Sequence, residues 1–394
     1  MSSYDSPPFI VDSHIHLYDA DALDGLSWLK KGDQLDRPSN VSDYVNAINN
    51  KPDKVDEGAE KEEKEDEEGD KEAEADEPPS GPRVGYIFIE TDRKNGTNGD
   101  DWTGPLEEVA YLRRIVEAEA EATTSVTSTQ ARCLAIVPWA PVHAGPEALE
   151  RYLAQVEETA GPVVWPRVRG FRYLVQDKPH GTMLTDAFVE SLKLLGRRGF
   201  SFDLGIDQHR RGRTQMAEAV VLVEKLHGPE SGVAEADKVV LIVNHMAKPD
   251  ITVLTPHADR GFAAWRDTMF ALAKTSPDHI FMKLSGLFTE APPALYAQEP
   301  SAFFAATYPW LAVLLAAFGA SRLMFASDWP VCTLPYGKKD PPAPEKPRTP
   351  GEVGAWNKWR SVVAYLSYMA TLSEDDVAML WAGTAVKAYG LEKK

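Results

Sequence analysis

The chain has 394 residues, 43 % of them apolar, and a formal net charge of -18 from 60 acidic and 42 basic residues. That length and apolar content suffice for a large buried core, and the negative balance argues against a nucleic-acid-binding protein, which needs a basic face. The acidity is concentrated: residues 51–82 carry 15 acidic residues and 5 lysines, a net of -10, which leaves -8 for the rest. This stretch has no aromatic and almost no aliphatic side chains, so it is expected to be a disordered, solvated acidic insertion within a single domain spanning 1–394. Cys133 and Cys332 make neither a disulfide framework nor a cysteine-based zinc site, and a cytoplasmic, reducing location is the simpler expectation. The first residues lack the basic and apolar regions of a secretory signal, and no run reads as a transmembrane segment, so no membrane partner is expected.

Taken in order, short apolar runs rich in Val, Ile and Phe alternate with helical patterns. The strands are predicted at 9–14, 84–90, 133–139, 168–174, 200–206, 239–245, 280–286 and 322–328. Several are almost continuously apolar, as strands covered on both faces should be. After the second strand, residues 105–122 place Leu106, Val109, Leu112 and Val116 on one helical stripe behind a proline. Helical patterns follow at 145–159, at 184–199 with Gly199 as the expected C-terminal stop, and at 214–228, 259–275 and 301–319. The tail, 354–390, reads as two helices joined at "LSEDD", where a serine precedes acids in a capping pattern. Eight β–α units in series predict an α/β fold, a (β/α)8 TIM barrel. The runner-up is an open doubly wound sheet, but no glycine-rich phosphate loop follows the first strand.

Ionisable residues gather where these strands end, on the catalytic face of such a barrel. His14 and His16, two apart on the first strand, point to the same side. Glu90, Trp139, Arg172, Asp203, Asn244, His245, Lys283 and Asp328 end later strands. Glu90 and Asp203 read as supporting acids. His209, just past the fifth strand, is a weaker candidate for a contact at the mouth. In a barrel, His14, His16, His245 and Asp328 converge on one opening.

"VDSHIHLYD" (11–19), "GFRYLVQD" (170–177), "VNHMAKPD" (243–250), "MKLSGL" (282–287) and "RLMFASDWPV" (322–331) together resemble the amidohydrolase superfamily. The likeness is nearest to its branch of sugar-lactone and pyrone-dicarboxylate lactonases and covers most of the chain outside 51–82. It implies a hydrolytic site built on His14, His16, His245 and Asp328. The fourth strand has no lysine to be carbamylated, which argues against a binuclear metal centre, and the fifth lacks the histidine that many single-metal members use. The resemblance is to a set in which metal use varies. With one divalent ion such as zinc, His14 and His16 are its first ligands and His245 or Asp328 completes an open site. Without it, the same histidines serve as hydrogen-bond donors.

The reaction so implied is hydrolysis of a small-molecule lactone, an aldonolactone such as L-rhamnono-1,4-lactone, with Asp328 as general base and His245 beside it. Arg172, Lys283, Asn244, Tyr173 and Trp329 are the expected substrate contacts, Tyr173, Trp139 and Trp329 by stacking on a sugar ring. One arginine and one lysine favour a neutral lactone over a dicarboxylate. The long proline-rich stretch after the eighth strand is placed over the mouth. The alternatives are a metal-dependent decarboxylase of an aromatic acid from the same superfamily, and a barrel that binds without turnover.

Overall fold

The computed structural model describes residues 7, 9–49, 82–95, 101–122, 130–253, 255–336 and 354–392. The acidic insertion (but for Pro82) and most of the proline-rich stretch lie outside the described residues. All eight predicted strands are present: β1 (Phe9–Ile15), β2 (Arg83–Ile89), β3 (Ala131–Val137), β4 (Gly170–Leu174), β5 (Ser201–Gly205), β6 (Leu241–Val243), β7 (Ile280–Leu284) and β8 (Leu323–Phe325). Each pairs in parallel with the next inside two groups, β1 to β3 and β4 to β8. Both seams are bridged. Ile136 pairs with Val168 and Trp139 with Arg172 between β3 and β4, and Ile15 pairs with Trp329 between β1 and the exit of β8. The ring is thereby closed, and every edge strand is covered.

Helices occupy the predicted intervals: α2 (Thr103–Ala122), α3 (Pro146–Val164), α4 (Asp186–Arg197), α5 (Gln208–His227), α6 (Arg260–Thr275), α9 (Pro300–Phe318), α10 (Ala355–Met369), α11 (Glu374–Ala378) and α12 (Thr384–Ala388), while α1 (Val41–Ile48) and the short α7 (Leu287–Glu290) and α8 (Pro293–Tyr296) fall outside them. The terminators act as their chemistry requires. Gly199 follows α4 at φ +76°, a left-handed position open to glycine at little cost. Ser373 caps α11 by accepting from Asp376 N at 3.1 Å. One expectation needs correction: α9 is long and apolar enough, by composition, to cross a membrane. Here it is an outer helix of the barrel, packed against α6 and α10, with Phe303, Trp310, Leu311 and Leu314 buried.

Alternation along the strands separates two cores. One set of side chains faces the helices and forms the large apolar layer. The other set includes Val11, Ile87, Ile89, Ala135, Val137, Ile242, Phe281 and Met324, and it is closed off by Ala385, Ala388 and Tyr389 at the C-terminal helix. This second cluster fills the barrel interior, so the barrel is packed rather than hollow.

Closure at β1 and β8 depends on a buried carboxylate. Asp12 is fully buried. Its Oδ1 accepts from Ser327 N at 2.8 Å and more weakly from His14 N at 3.4 Å. Its Oδ2 accepts from Tyr44 Oη at 2.8 Å and from Trp356 Nε1 at 2.9 Å. One side chain therefore ties β1 to the exit of β8, to α1 and to α10. Burial raises the Asp12 pKa, against the hydrogen bonds that favour the charged form. Asp12→Asn turns one acceptor into an NH2 group facing other donors. It is expected to lower unfolding free energy by about 2 to 4 kcal/mol, read from the urea midpoint.

Candidate active site

His14 and His16 leave β1 on the same face, with their Nε2 atoms 3.2 Å apart. The backbone holds Asp328 against them: Asp328 N donates to His14 O at 2.9 Å, and His16 N donates to Trp329 O at 2.8 Å. Asp328 sits at φ +61°, a left-handed conformation that turns its side chain inward. Its Oδ1 lies 3.6 Å from His14 Nε2, 3.5 Å from His16 Nε2 and 3.7 Å from His245 Nε2. Three imidazoles thus face a single carboxylate oxygen. Burial works to raise the Asp328 pKa, but His245 and His16 outweigh it and hold the carboxyl below its ordinary value.

His245 is aimed by unusual backbone. Residues His245, Met246, Ala247 and Lys248 are consecutive and all left-handed, with φ between +44° and +59°. Without glycine, such a turn costs about 1 to 2 kcal/mol per residue. Trp265 Nε1 secures it by donating to Met246 O at 2.8 Å. Gly286 makes room for it, because a Cβ there would lie 2.5 Å from the His245 Cβ. His245 Nδ1 is 2.8 Å from Ser285 Oγ. Burial, first of all, depresses the pKa of both His14 and His245 well below the usual imidazole value, so both rings are neutral near pH 7.

Beneath the imidazoles lies a layer of buried charge. Lys283 Nζ donates to Asp203 Oδ1, Tyr389 Oη donates to Asp203 Oδ2 at 2.8 Å, and Lys283 Nζ is 3.1 Å from His14 Nδ1. Burial lowers the Lys283 pKa to about 8. His16 Nδ1 faces Ile89 O at 2.8 Å. An ammonium only donates and a carbonyl only accepts, which sets the direction of the whole chain. Lys283 donates to His14, His14 Nε2 donates to His16 Nε2, and His16 Nδ1 donates to Ile89.

A cavity of about 260 Å³ opens above this centre, lined by His16, Trp28, Glu90, Thr91, Asp92, Arg172, Leu174, Gln176, Asp177, His245, Lys248, Asp328, Val331 and Leu334. Of the expected site residues, His16, Arg172, His245 and Asp328 line it, and His14 lies directly behind His16 and Asp328. Five expected substrate contacts, Tyr173, Trp329, Lys283, Asn244 and Trp139, do not line it. Neighbouring residues in a strand face opposite ways, so an inward Arg172 sends Tyr173 out among the helices, where it stacks on His143 at 4.7 Å. Trp329, next to inward Asp328, packs on Tyr44 at 5.3 Å. Lys283 and Asn244 are fully buried, Lys283 one layer below the cavity. Trp139 packs on Tyr152 and Tyr173. His209 also stays out of the cavity and pairs with Glu290 at 2.7 Å and Asp250 at 3.5 Å. The aromatic at the rim is Trp28, 37 % exposed, in a loop with no motif to announce it.

The second wall of the cavity joins Arg172 and Glu90. Arg172 Nη1 donates to Glu90 O at 3.2 Å and lies 3.3 Å from Glu90 Oε1. Burial pushes the Glu90 carboxyl up to about 8, although Arg172 opposes the shift.

A closed parallel barrel with imidazoles and a carboxylate gathered around a solvent-reached cavity at its strand ends defines a barrel enzyme of hydrolytic type. The chain belongs to the amidohydrolase family, which it matches over residues 11–391. It is 28 % identical over 391 residues to an L-rhamnono-gamma-lactonase of Scheffersomyces stipitis, covering 97 % of this chain and 98 % of that one. It is also 28 % identical over 287 residues to an L-fucono-1,5-lactonase of Burkholderia multivorans, covering 72 % of this chain and 80 % of that protein. Among solved structures, an amidohydrolase from Burkholderia multivorans with bound zinc superposes with a TM-score of 0.62 at 21 % identity, over 97 % of this chain and 99 % of that one, and so shares the fold.

The raised Glu90 pKa has a consequence for stability. The folded state holds a proton on Glu90 up to about pH 8, whereas the unfolded chain releases it near 4.5. The stabilisation from this group is therefore complete below pH 4.5 and is lost as pH rises to 8. The unfolding free energy of wild type relative to Glu90→Gln is expected to fall between pH 5 and pH 8, by up to about 1 kcal/mol per pH unit. Urea titrations at several pH values measure that difference.

Proposed function

We propose that this enzyme opens the ring ester of a neutral sugar lactone by adding water to the ring carbonyl. The observation that carries the reading is the convergence of three imidazole Nε2 atoms on Asp328 Oδ1 at 3.5 to 3.7 Å in a solvent-reached cavity. With its pKa below the ordinary carboxylate value, Asp328 is ionised at neutral pH and takes a proton from the attacking water. As the new C–O bond forms, negative charge collects on the carbonyl oxygen. The Lys248 ammonium lines the cavity and has no ion-pair or hydrogen-bond partner among the described residues, which suits it to stabilise that charge. When the tetrahedral species collapses, the ring C–O bond breaks and its electron pair passes to the ring oxygen. The proton held by Asp328 returns to that oxygen, and the product is a hydroxy acid.

The donor set also suits one divalent cation such as zinc. The ligand atoms of His14, His16 and Asp328 lie within 4.8 Å of one another, and two imidazoles with one carboxylate leave a coordination position open. His16 fits without change, since its Nδ1 proton is spent on Ile89 O. His14 would have to lose its Nε2 proton while its Nδ1 takes one from the Lys283 ammonium, so uptake of the ion would release one proton. A bound ion would polarise the carbonyl and acidify the attacking water.

Charge in the cavity bears on the substrate. Asp92, Asp177 and Asp328 line it against Arg172 and Lys248, while Glu90 keeps its proton at neutral pH. That balance disfavours a dicarboxylate and suits a neutral ring. The names of the two lactonase relatives agree with this reading, and Trp28 offers an apolar face to the ring.

Asp328→Asn is expected to lower kcat/KM on L-rhamnono-1,4-lactone by about 10²- to 10⁴-fold, followed by acid release in weak buffer with a pH indicator. Unchanged turnover would remove Asp328 as the base. Elemental analysis is expected to find close to one equivalent of zinc, absent when His14 and His16 are both replaced by Asn. If the purified protein holds no metal and a chelator leaves the rate unchanged, the ion is discarded and hydrolysis by Asp328 alone remains.

A further inference from the structure

Among the buried polar atoms without a hydrogen-bond partner are Glu90 Oε1, Arg172 Nε and Gln176 Oε1. All three residues line the catalytic cavity. Leaving such atoms without a hydrogen bond costs about 1 to 3 kcal/mol each. Glu90 Oε2 accepts from Asp92 N, Arg172 Nη1 donates to Glu90 O, and the same Nη1 lies 3.3 Å from Glu90 Oε1 as an ion pair that is not a hydrogen bond. The hydrogen-bonding capacity left over on Arg172 Nε, Gln176 Oε1 and Glu90 Oε1 therefore points to something that enters the cavity.

Their chemistry narrows what that is. Arg172 Nε only donates, and an amide oxygen such as Gln176 Oε1 only accepts. A ligand that offers only acceptors, such as a ketone or a carboxylate, satisfies Arg172 and leaves Gln176 bare. A ligand that offers only donors does the reverse. A hydroxyl group does both, and it pairs with Glu90 Oε1 in either protonation state of that carboxyl. Several hydroxyls on one ring satisfy all three atoms together.

We propose that Glu90, Arg172 and Gln176 form a wall that reads the ring hydroxyls of the substrate, making the enzyme selective for polyhydroxylated lactones over plain ones. This rests on the lactonase reading above and assigns the selectivity of that same cavity to Glu90 and Gln176, with Arg172 between them. The selectivity arises because a ring without hydroxyls leaves the wall unpaired.

The test compares L-rhamnono-1,4-lactone with γ-butyrolactone, which has the same ring size and no hydroxyls. Wild type is expected to prefer the first by about 100-fold or more in kcat/KM. Gln176→Met keeps the length of a half-buried side chain and removes the amide, and the preference should fall about tenfold. Glu90→Gln, nearly isosteric, is the second variant and should also lower it. A preference unchanged in both variants overturns the proposal, as does a wild type that treats the two lactones alike. If wild type opens neither lactone, the lactonase reading fails, and the wall is then judged by calorimetric titration of Asp328→Asn with L-rhamnono-1,4-lactone. Weaker binding after adding Gln176→Met supports it, and equal binding or none refutes it.

Discussion

The site depends on a carboxylate that does no chemistry. Asp12 lies at the seam where the first strand meets the last, and it accepts hydrogen bonds from the backbone after β8, from α1 and from α10. Barrel closure brings together side chains more than three hundred residues apart, and a loose seam would let them drift. Next to Asp12, the reciprocal backbone bonds of His14 with Asp328 and of His16 with Trp329 convert that closure into fixed distances between imidazoles and carboxylate. The spacing of the imidazoles and the Asp328 carboxylate is thus a property of the seam more than of any loop.

A second constraint acts from below. The Lys283–Asp203–Tyr389 layer sits inside the barrel where water does not reach, so its charges are compensated by one another. Lys283 presents a donor to His14, and Ile89 presents an acceptor to His16. Between these fixed ends the tautomers of both rings are determined, as outer partners commonly determine them for working histidines. The left-handed turn from His245 to Lys248 supplies the third imidazole together with an ammonium that has no ion-pair or hydrogen-bond partner among the described residues, and its strain is held by Trp265 and by the missing side chain of Gly286.

The fold was legible in the sequence because two-sided burial writes itself as apolar runs, and eight such runs alternating with helical stripes admit few architectures. The pairing of His14 with His16 was legible because strand geometry makes alternate residues neighbours. The substrate contacts were less so. Tyr173 and Trp329 are aromatic and close in sequence to inward residues, yet adjacency in a strand is what turns them outward. Lys283 carries the right charge, but only the depth of the barrel reveals that it lies beneath the site. Lys248 and Trp28 reach the cavity through backbone turns with no residue pattern, since the left-handed run contains no glycine to mark it. Asp12 could not be told from any other acid beside a histidine until its four donors were in place.

The carboxylates around the cavity carry one more implication. On the proposed lactonase reading, Asp92, Asp177 and Asp328 are indifferent to an uncharged ring, but opening that ring would create an anion in their midst. Repulsion between the newborn acid and this fringe would favour departure over retention, so the enclosure that admits the reactant would also drive the turnover cycle outward and limit inhibition by accumulated product.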